Sequence, residues 1–226
     1  MKNLALIIAG LGLASGIFAL ALQYSITVPE AMAAGRSQAG AILFYFSFFT
    51  ILANCAAVIS HAAQYLPFKS LDILRHRSVG GAVTTAMLMV AMVYNLILAP
   101  QGAPQGESVL CDMILHYVTP ILMMSWWLVS ANGRTRFVSL VWWLAPPAFY
   151  LAFVYIRWLF VREVSNPFLD PALGMPRVVS GIVGILLLFV TTGLLIIILD
   201  KIVGKVKRHQ GRYQSSARYA SRHRLR

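Results

Sequence analysis

Hydroxyl and amide side chains recur within one long apolar stretch near the start of the chain. In "FYFSFFTILAN", Ser47, Thr50 and Asn54 are three and four residues apart, a spacing that places them on one face of a helix. His61 follows two turns further on. The threonine could act as a nucleophile once a base takes its proton. The same polar stripe could instead hold helices together by hydrogen bonds, so the spacing alone leaves both interpretations open.

A carboxylate and an imidazole lie four residues apart in "CDMILHYVTP". On a helix, Asp112 can hold His116 in one tautomer and stabilise its charged form. Pro120 follows the histidine by four residues and lacks the N–H that would pair with its carbonyl, so we expect the helix to loosen there. The alternative is a capped helix end with a satisfied histidine, because an aspartate near a helix start is favoured by the helix dipole.

Taken together, the two groups predict a nucleophile and its base on different helices. If these helices pack face to face, His116 can take the hydroxyl proton of Thr50. The negative charge that develops on a carbonyl oxygen would then need hydrogen-bond donors. The candidate supporting residues, as donors or as positioning groups, are Asp112, Asn54, Ser47, Asn95 and Tyr94. We expect no metal ion and no organic cofactor, because the chain has neither a Cys/His cluster nor a glycine-rich phosphate loop.

The elements that position these residues must be membrane helices. The 226-residue chain is 59% apolar and only 12% charged, with a mean hydropathy of +0.73, which excludes an ordinary soluble domain. Runs of roughly 20 apolar residues can cross a bilayer, and only as helices. We predict an all-α polytopic membrane protein, a bundle of six transmembrane helices at residues 4–24, 40–63, 79–98, 113–131, 138–157 and 178–199. The first span is expected to be retained rather than cleaved as a signal peptide, because its apolar run is longer than a signal core.

The basic residues are distributed unevenly between the two predicted faces. By parity, Lys2, the loops after the second and fourth spans and the C-terminal tail share one side, which holds 15 of the 19 Lys and Arg residues. The positive-inside rule then predicts that both termini are cytoplasmic. We divide the chain into a six-helix domain, 1–200, and a basic cytoplasmic tail, 201–226, that is suited to anionic lipid head groups. Nucleic acid is not an expected partner, because no reading motif accompanies the charge.

At these motifs the chain resembles the androgen-inducible membrane hydrolases and their bacterial relatives, the threonine-dependent enzymes that cleave fatty acid esters of hydroxy fatty acids. The resemblance lies in the threonine of "FSFFTILAN", the histidine and proline of "LHYVTPILMMSWW", and "NPFLD" at 166–170, together with the order of six spans. It implies Thr50 as nucleophile, His116 as base, a lipid substrate and a bacterial inner (plasma) membrane. The candidate residues for the pocket mouth are Asn166, Phe168 and Asp170, although a Pro-rich loop would look the same.

The function expected from these observations is intramembrane hydrolysis of acyl esters of lipids. A small transporter or a solute- or lipid-binding protein could use the same polar stripe, and a non-enzymatic membrane subunit could use it only to hold helices together. The predicted boundaries also place the two reactive residues at different depths. Thr50 lies about ten residues from the end of its span, roughly 15 Å, and His116 about three. A tilt, a cavity or an early helix start near Val109 must therefore bring them together. The oligomeric state is left open.

Overall fold

Residues 2–102 and 105–223 are described by a computed structural model of the protein, and all regular secondary structure in them is helical. The α-helices, in chain order, are α1 (Lys2–Ala33), α2 (Gln38–Tyr45), α3 (Phe49–Ala62), α4 (Asp72–Arg75), α5 (Arg77–Val93), α6 (Ser108–Met113), α7 (Thr119–Ser130), α8 (Ser139–Trp143), α9 (Ala145–Val161) and α10 (Met175–His223). Short 3₁₀ and π turns join several of them.

Five stretches of the described chain are long and apolar enough to cross a membrane, and a sixth is added if α2 and α3 form one span. The five are Asn3–Ala33, Arg77–Leu98, Ser108–Ser130, Ser139–Val161 and Met175–Gln210. This confirms that the described chain is all-helical, with five to six helices long and apolar enough to span a membrane. Most of the helices extend beyond the predicted limits. Ser108–Ser130, which corresponds to the fourth predicted span, begins five residues before residue 113, where the apolar pattern had placed its start.

The second predicted helix, 40–63, is broken, and the expectation of one continuous polar face is wrong. α2 ends at Tyr45, Phe48 is extended (φ −89°, ψ 128°), and α3 leaves at 74° to α2. The backbone groups freed by the break find new partners: the Ser47 hydroxyl donates to the carbonyl of Phe44 (2.6 Å), and Tyr150 donates to the carbonyl of Ser47 (3.0 Å). A break at membrane depth is tolerated when its polar groups are satisfied in this way.

Two other spans widen into a π turn near the same site. The turns are Tyr94–Leu98 and Ile114–Val118, and each ends two residues before a proline, Pro100 or Pro120. A proline has no N–H for the carbonyl four residues before it, so the α-helical pattern cannot continue. The residue before each proline instead donates its N–H to a carbonyl five residues back. The loosening predicted around His116 therefore takes the form of a π turn, and π turns are frequent at functional sites.

Small residues bring α1 and α3 into close contact. A Cβ added to Gly12 would lie 2.5 Å from the ring of His61, and one added to Gly16 would lie 2.5 Å from Val58. The two helices run antiparallel, since the Tyr45 hydroxyl donates to the carbonyl of Leu20 while residues near the end of α3 contact the beginning of α1. His61 therefore packs between helices and against Trp126, away from Thr50.

One end of the bundle, which we call the basic end, consists of residues 63–76, 131–138 and 200–210. There the buried carboxylate of Asp200 accepts the backbone N–H groups of Asn132, Gly133 and Thr135 at 2.8 to 3.0 Å. Lys207 donates to the carbonyls at the end of α7, at 2.7 to 3.2 Å. α10 continues through residue 200 to His223 without a break, so the predicted tail begins as part of the same helix.

Candidate active site

The structure brings Thr50 and His116 together. Oγ1 of Thr50 lies 3.4 Å from Nε2 of His116, and both side chains are partly buried. The early start of the fourth span, at Ser108, places the histidine deeper than the predicted boundary at residue 113. The helix break places the threonine in the first turn of α3. These two departures from regular geometry remove the difference in depth that the sequence predicted.

A carboxylate and a tyrosine fix the orientation of the histidine. Nδ1 of His116 lies 3.0 Å from a carboxylate oxygen of Asp112, whose other oxygen accepts the Tyr94 hydroxyl at 2.5 Å. The tyrosine ring also stacks on the imidazole, with centroids 3.9 Å apart and planes 16° apart. With Nδ1 held by a carboxylate, Nε2 is the nitrogen free to accept a proton from Thr50. One continuous series of side-chain contacts therefore links Tyr94, Asp112, His116 and Thr50, and we call these four residues the tetrad.

A second group of residues holds the helix break next to the tetrad. The hydroxyl of Tyr150 donates to the carbonyl of Ser47 and accepts the side-chain amide of Asn166 at 2.7 Å. The hydroxyls of Ser47 and Ser165 are in direct contact. Ser47 is thus part of the break rather than of a helix face shared with Thr50. Tyr150 and Ser165 were not predicted, because a tyrosine in an apolar helix and a serine in a polar loop carry no distinguishing sequence signal.

Asn54 is committed to structural hydrogen bonds. Its amide nitrogen donates to the carbonyls of Thr50 (2.9 Å) and Leu115 (3.3 Å), and its oxygen accepts the hydroxyl of Thr119 at 2.6 Å. The side chain is fully buried between α3 and the fourth span. An amide whose two hydrogens are both engaged has none left for a reacting oxygen, so its expected role as a donor is replaced by that of a link between the helices that carry Thr50 and His116.

Two other predicted residues lie outside the reacting group. Asn95 is exposed, donates to the carbonyl of Ala91 and accepts the hydroxyl of Tyr117. Asp170 caps a short 3₁₀ turn by accepting the N–H of Ala172 at 2.9 Å. Tyr94, in contrast, belongs to the tetrad, but it donates its hydroxyl hydrogen to Asp112 and so has none left to donate to an oxyanion.

Two cavities meet at Thr50. The polar cleft, counted together with the open space at its mouth, encloses about 740 Å³ and includes His116, Gln23, Thr27 and Ser165 in its wall. The apolar cavity, counted in the same way, encloses about 690 Å³. Its wall consists chiefly of hydrophobic side chains of α5, α9 and α10 and of the loop before α10, among them Val90, Leu151, Phe168, Ile185 and Phe189. The residues common to both walls are Thr50, Tyr94, Leu98 and Asn166. The predicted mouth residues Asn166 and Phe168 thus do border the site.

The donor set at this site is that of acid–base and nucleophilic chemistry. Within residues 2–102 and 105–223, no three His, Cys, Asp or Glu side chains come together as a metal site would require.

Comparisons of the chain with protein-family models, with curated proteins and with solved structures found no significant match. The resemblance to the membrane threonine hydrolases therefore stays a hypothesis based on the quoted motifs.

Proposed function

We propose that the protein is an intramembrane hydrolase that cleaves acyl esters of lipids, with Thr50 as nucleophile and His116 as base. The observation that carries the proposal is the junction at Thr50: the hydroxyl faces an imidazole oriented by a carboxylate, and it stands where an apolar cavity meets a polar cleft. Solute binding or helix packing requires a polar stripe, but neither requires an oriented base beside a hydroxyl at such a junction.

The reaction follows from the tetrad. As the oxygen of Thr50 attacks the ester carbonyl, Nε2 of His116 takes the hydroxyl proton and the resulting imidazolium is stabilised by Asp112. The tetrahedral intermediate collapses, the ester C–O bond breaks, and the imidazolium protonates the leaving alcohol. Water, deprotonated by the same histidine, then attacks the acyl-threonine ester. The bond between the acyl carbon and the Thr50 oxygen breaks, the imidazolium returns the proton to that oxygen, and the acid is released. Tyr94 holds the carboxylate and the imidazole in register throughout.

Two donors remain for the oxyanion. Thr50 is the second residue of α3, where backbone N–H groups point out of the helix end and the helix dipole favours negative charge. Asn166 uses its amide nitrogen for one bond to Tyr150, borders both cavities with Thr50, and has a second amide hydrogen. We assign the oxyanion to the Thr50 N–H and to Asn166, in place of the side chains that the sequence suggested.

We assign the acyl half of the substrate to one cavity and the alcohol half to the other. The acyl chain occupies the apolar cavity, because burying its methylenes there keeps them out of water and aligns the carbonyl with Thr50. The alcohol part lies in the polar cleft beside His116, which must protonate it. In the membrane the chain forms six spans, with α2 and α3 as one broken span and both termini cytoplasmic. The membrane is the bacterial inner membrane, and the basic end faces anionic lipid head groups.

A fluorophosphonate probe tests the nucleophile. Wild-type protein in lipid nanodiscs should be labelled covalently, and peptide mass spectrometry should place the adduct on Thr50. Thr50→Val, which keeps the β-branched shape without the hydroxyl, and His116→Ala should both lose the label. Thr192→Ala is the matched control, because the buried hydroxyl of Thr192 donates to the backbone carbonyl of Leu188 in the same helix.

Turnover is tested with long-chain carboxylic esters, by following release of the acid. We expect release by the wild type and by Thr192→Ala and none by Thr50→Val, with all proteins folded as judged by thermal melting. A folded wild type that neither labels nor hydrolyses would contradict the hydrolase and favour a transporter. Labelling that persists in Thr50→Val would contradict Thr50 as the nucleophile.

A further inference from the structure

Two arginines share one glutamate at the end of the bundle opposite the basic end. Arg157, near the C-terminal end of α9, donates to the Glu163 carboxylate at 2.6 Å and to its backbone carbonyl at 3.1 Å. Arg36, in the loop before α2, forms an ion pair with the other carboxylate oxygen. We call these three residues the arginine cluster. Two guanidinium charges thus face one carboxylate, which leaves the cluster with a net positive charge.

The cluster is held in place by an aromatic ring. The guanidinium carbon of Arg36 lies 4.4 Å from the ring centroid of Phe44, and that of Arg157 lies 5.8 Å from the same centroid. Arg157 is only 8% exposed, and its Nε is buried without an acceptor among the residues that the structure describes. A buried donor without an acceptor is costly, so Glu163 alone does not satisfy the Arg157 guanidinium.

The cluster opens into a cleft that is separate from the reacting group. The cleft, counted together with the open space in front of it, encloses about 940 Å³, and its wall shares no residue with the polar cleft or the apolar cavity at Thr50. Ser37 and Gly40, at the positive end of the α2 dipole, form part of the wall. Exposed apolar side chains, Leu43 and Val161, form another part. Positive charge beside exposed apolar surface fits an amphiphile better than a free ion.

We propose that this cleft binds the anionic head of a lipid amphiphile, a carboxylate or a phosphate, with Arg36 as the principal contact. Arg36 is the accessible member of the pair, with its side chain 30% exposed, and a guanidinium can grip either anion through two parallel hydrogen bonds. Glu163 is then an internal competitor for the same guanidinium groups. The alkyl chain of the ligand lies along Leu43 and Val161. The site does not depend on hydrolysis at Thr50.

Binding is measured with radiolabelled oleate added to the full-length protein in zwitterionic phosphatidylcholine nanodiscs, above the pH at which the fatty acid ionises. Oleyl alcohol is the neutral probe of the same chain. We expect Arg36→Gln to weaken oleate binding by roughly tenfold or more without changing that of the alcohol, and Arg36→Lys to give an intermediate loss. Glu163→Gln should tighten the binding of oleate, because both guanidinium groups lose their internal carboxylate.

The matched control is Arg162→Gln, since that arginine stacks on Trp158 and does not line the cleft. Competition by short-chain phosphatidylglycerol, with phosphatidylcholine as reference, distinguishes a phospholipid phosphate from a fatty acid carboxylate, and displacement by either anion supports the site. Equal affinity for oleate and oleyl alcohol, or a folded Arg36→Gln that binds oleate like the wild type, would overturn the proposal.

Discussion

Oγ1 of Thr50 lies 3.4 Å from Nε2 of His116, although 66 residues separate them in the chain. This contact joins the first turn of α3 to the π turn of the fourth span. Its length is at the loose end of a hydrogen bond, and such bonds between a nucleophile and its base commonly tighten only when substrate is present. The distance between Thr50 and His116 is therefore sensitive to every side chain that positions either of them.

Removing the Tyr94 hydroxyl should slow catalysis without removing the base. In Tyr94→Phe the ring can still stack on His116, but Asp112 loses the donor that fixes its second oxygen. We expect kcat for ester hydrolysis to fall about tenfold, equivalent to about 1.4 kcal/mol of transition-state stabilisation, with little change in KM. Tyr117→Phe is the control, because that hydroxyl donates to exposed Asn95, outside the tetrad, and this variant should hydrolyse at the wild-type rate. Equal kcat values for Tyr94→Phe and the wild type would remove Tyr94 from the tetrad.

Tyr150 should control the helix break. Tyr150→Phe deprives the Ser47 carbonyl of its donor and the Asn166 amide of its acceptor. Leaving buried groups unpaired costs about 1 to 3 kcal/mol, so we expect a lower melting temperature and slower fluorophosphonate labelling of Thr50. Tyr155→Phe removes a longer bond, 3.3 Å to the carbonyl of Leu169, and should change both quantities less. If Tyr150→Phe melted and labelled as the wild type does, the break would be stable without this hydroxyl.

Asn54 should contribute more to the free energy of unfolding than an exposed asparagine such as Asn95. Asn54→Ala removes the amide that links α3 to Leu115 and Thr119. Hydrogen bonds between membrane helices contribute on average about 0.6 and at most about 1.7 kcal/mol each, so we expect a loss of about 1 to 2 kcal/mol in the free energy of unfolding. Asn95→Ala, at an exposed position, should lose less than about 0.5 kcal/mol. Chemical denaturation in mixed micelles compares the two, and equal losses would contradict the assignment.

Filling the apolar cavity should shorten the acyl chain that the proposed hydrolase accepts. Ile185 lines this cavity, whereas Leu187 on the same helix is 63% exposed on the bundle surface. We expect Ile185→Trp to lower kcat/KM for long-chain esters by about tenfold or more while sparing short-chain esters, because the added ring occupies the space of the chain end. Leu187→Trp should leave the chain-length profile unchanged. A profile that shifted equally in both variants would place the acyl chain elsewhere.

The Asp200 carboxylate should be essential to the basic end. In Asp200→Asn an amide group replaces one of the two oxygens that accept the N–H groups of Asn132, Gly133 and Thr135. Losing charge-assisted bonds in a buried position should cost about 2 to 3 kcal/mol, measured as a lower melting temperature. Asp72→Asn, at an exposed ion pair with Arg75, should cost less than about 1 kcal/mol. A loss of stability in Asp72→Asn as large as that in Asp200→Asn would show that contacts other than those of Asp200 hold the loop 131–138.

Local rules account for part of the site geometry. Pro120 marked the fourth span as irregular at His116, and the structure has a π turn there. Pro100 marks the third span in the same way, and Tyr94 begins the π turn that precedes it. The break at Ser47 carries no such marker, because no proline or glycine lies between Tyr45 and Phe49. Within the break, the carbonyl of Ser47 is paired with the hydroxyl of Tyr150, 103 residues away, and such distant partners cannot be identified from one helix pattern.

The sequence by itself determined the membrane helices, because apolar length and sparse charge follow directly from composition and need no partner. It also supplied the Asp112–His116 spacing, which one helix turn converts into a 3.0 Å contact between the carboxylate and Nδ1. Only the tertiary structure decided that Thr50 meets His116, that Asn54 links helices instead of facing the substrate, and that Tyr94 joins the base. The physical reason is that each of these outcomes depends on which helix faces lie opposite each other, and that choice is made by packing and by the pairing of buried polar groups along the whole chain.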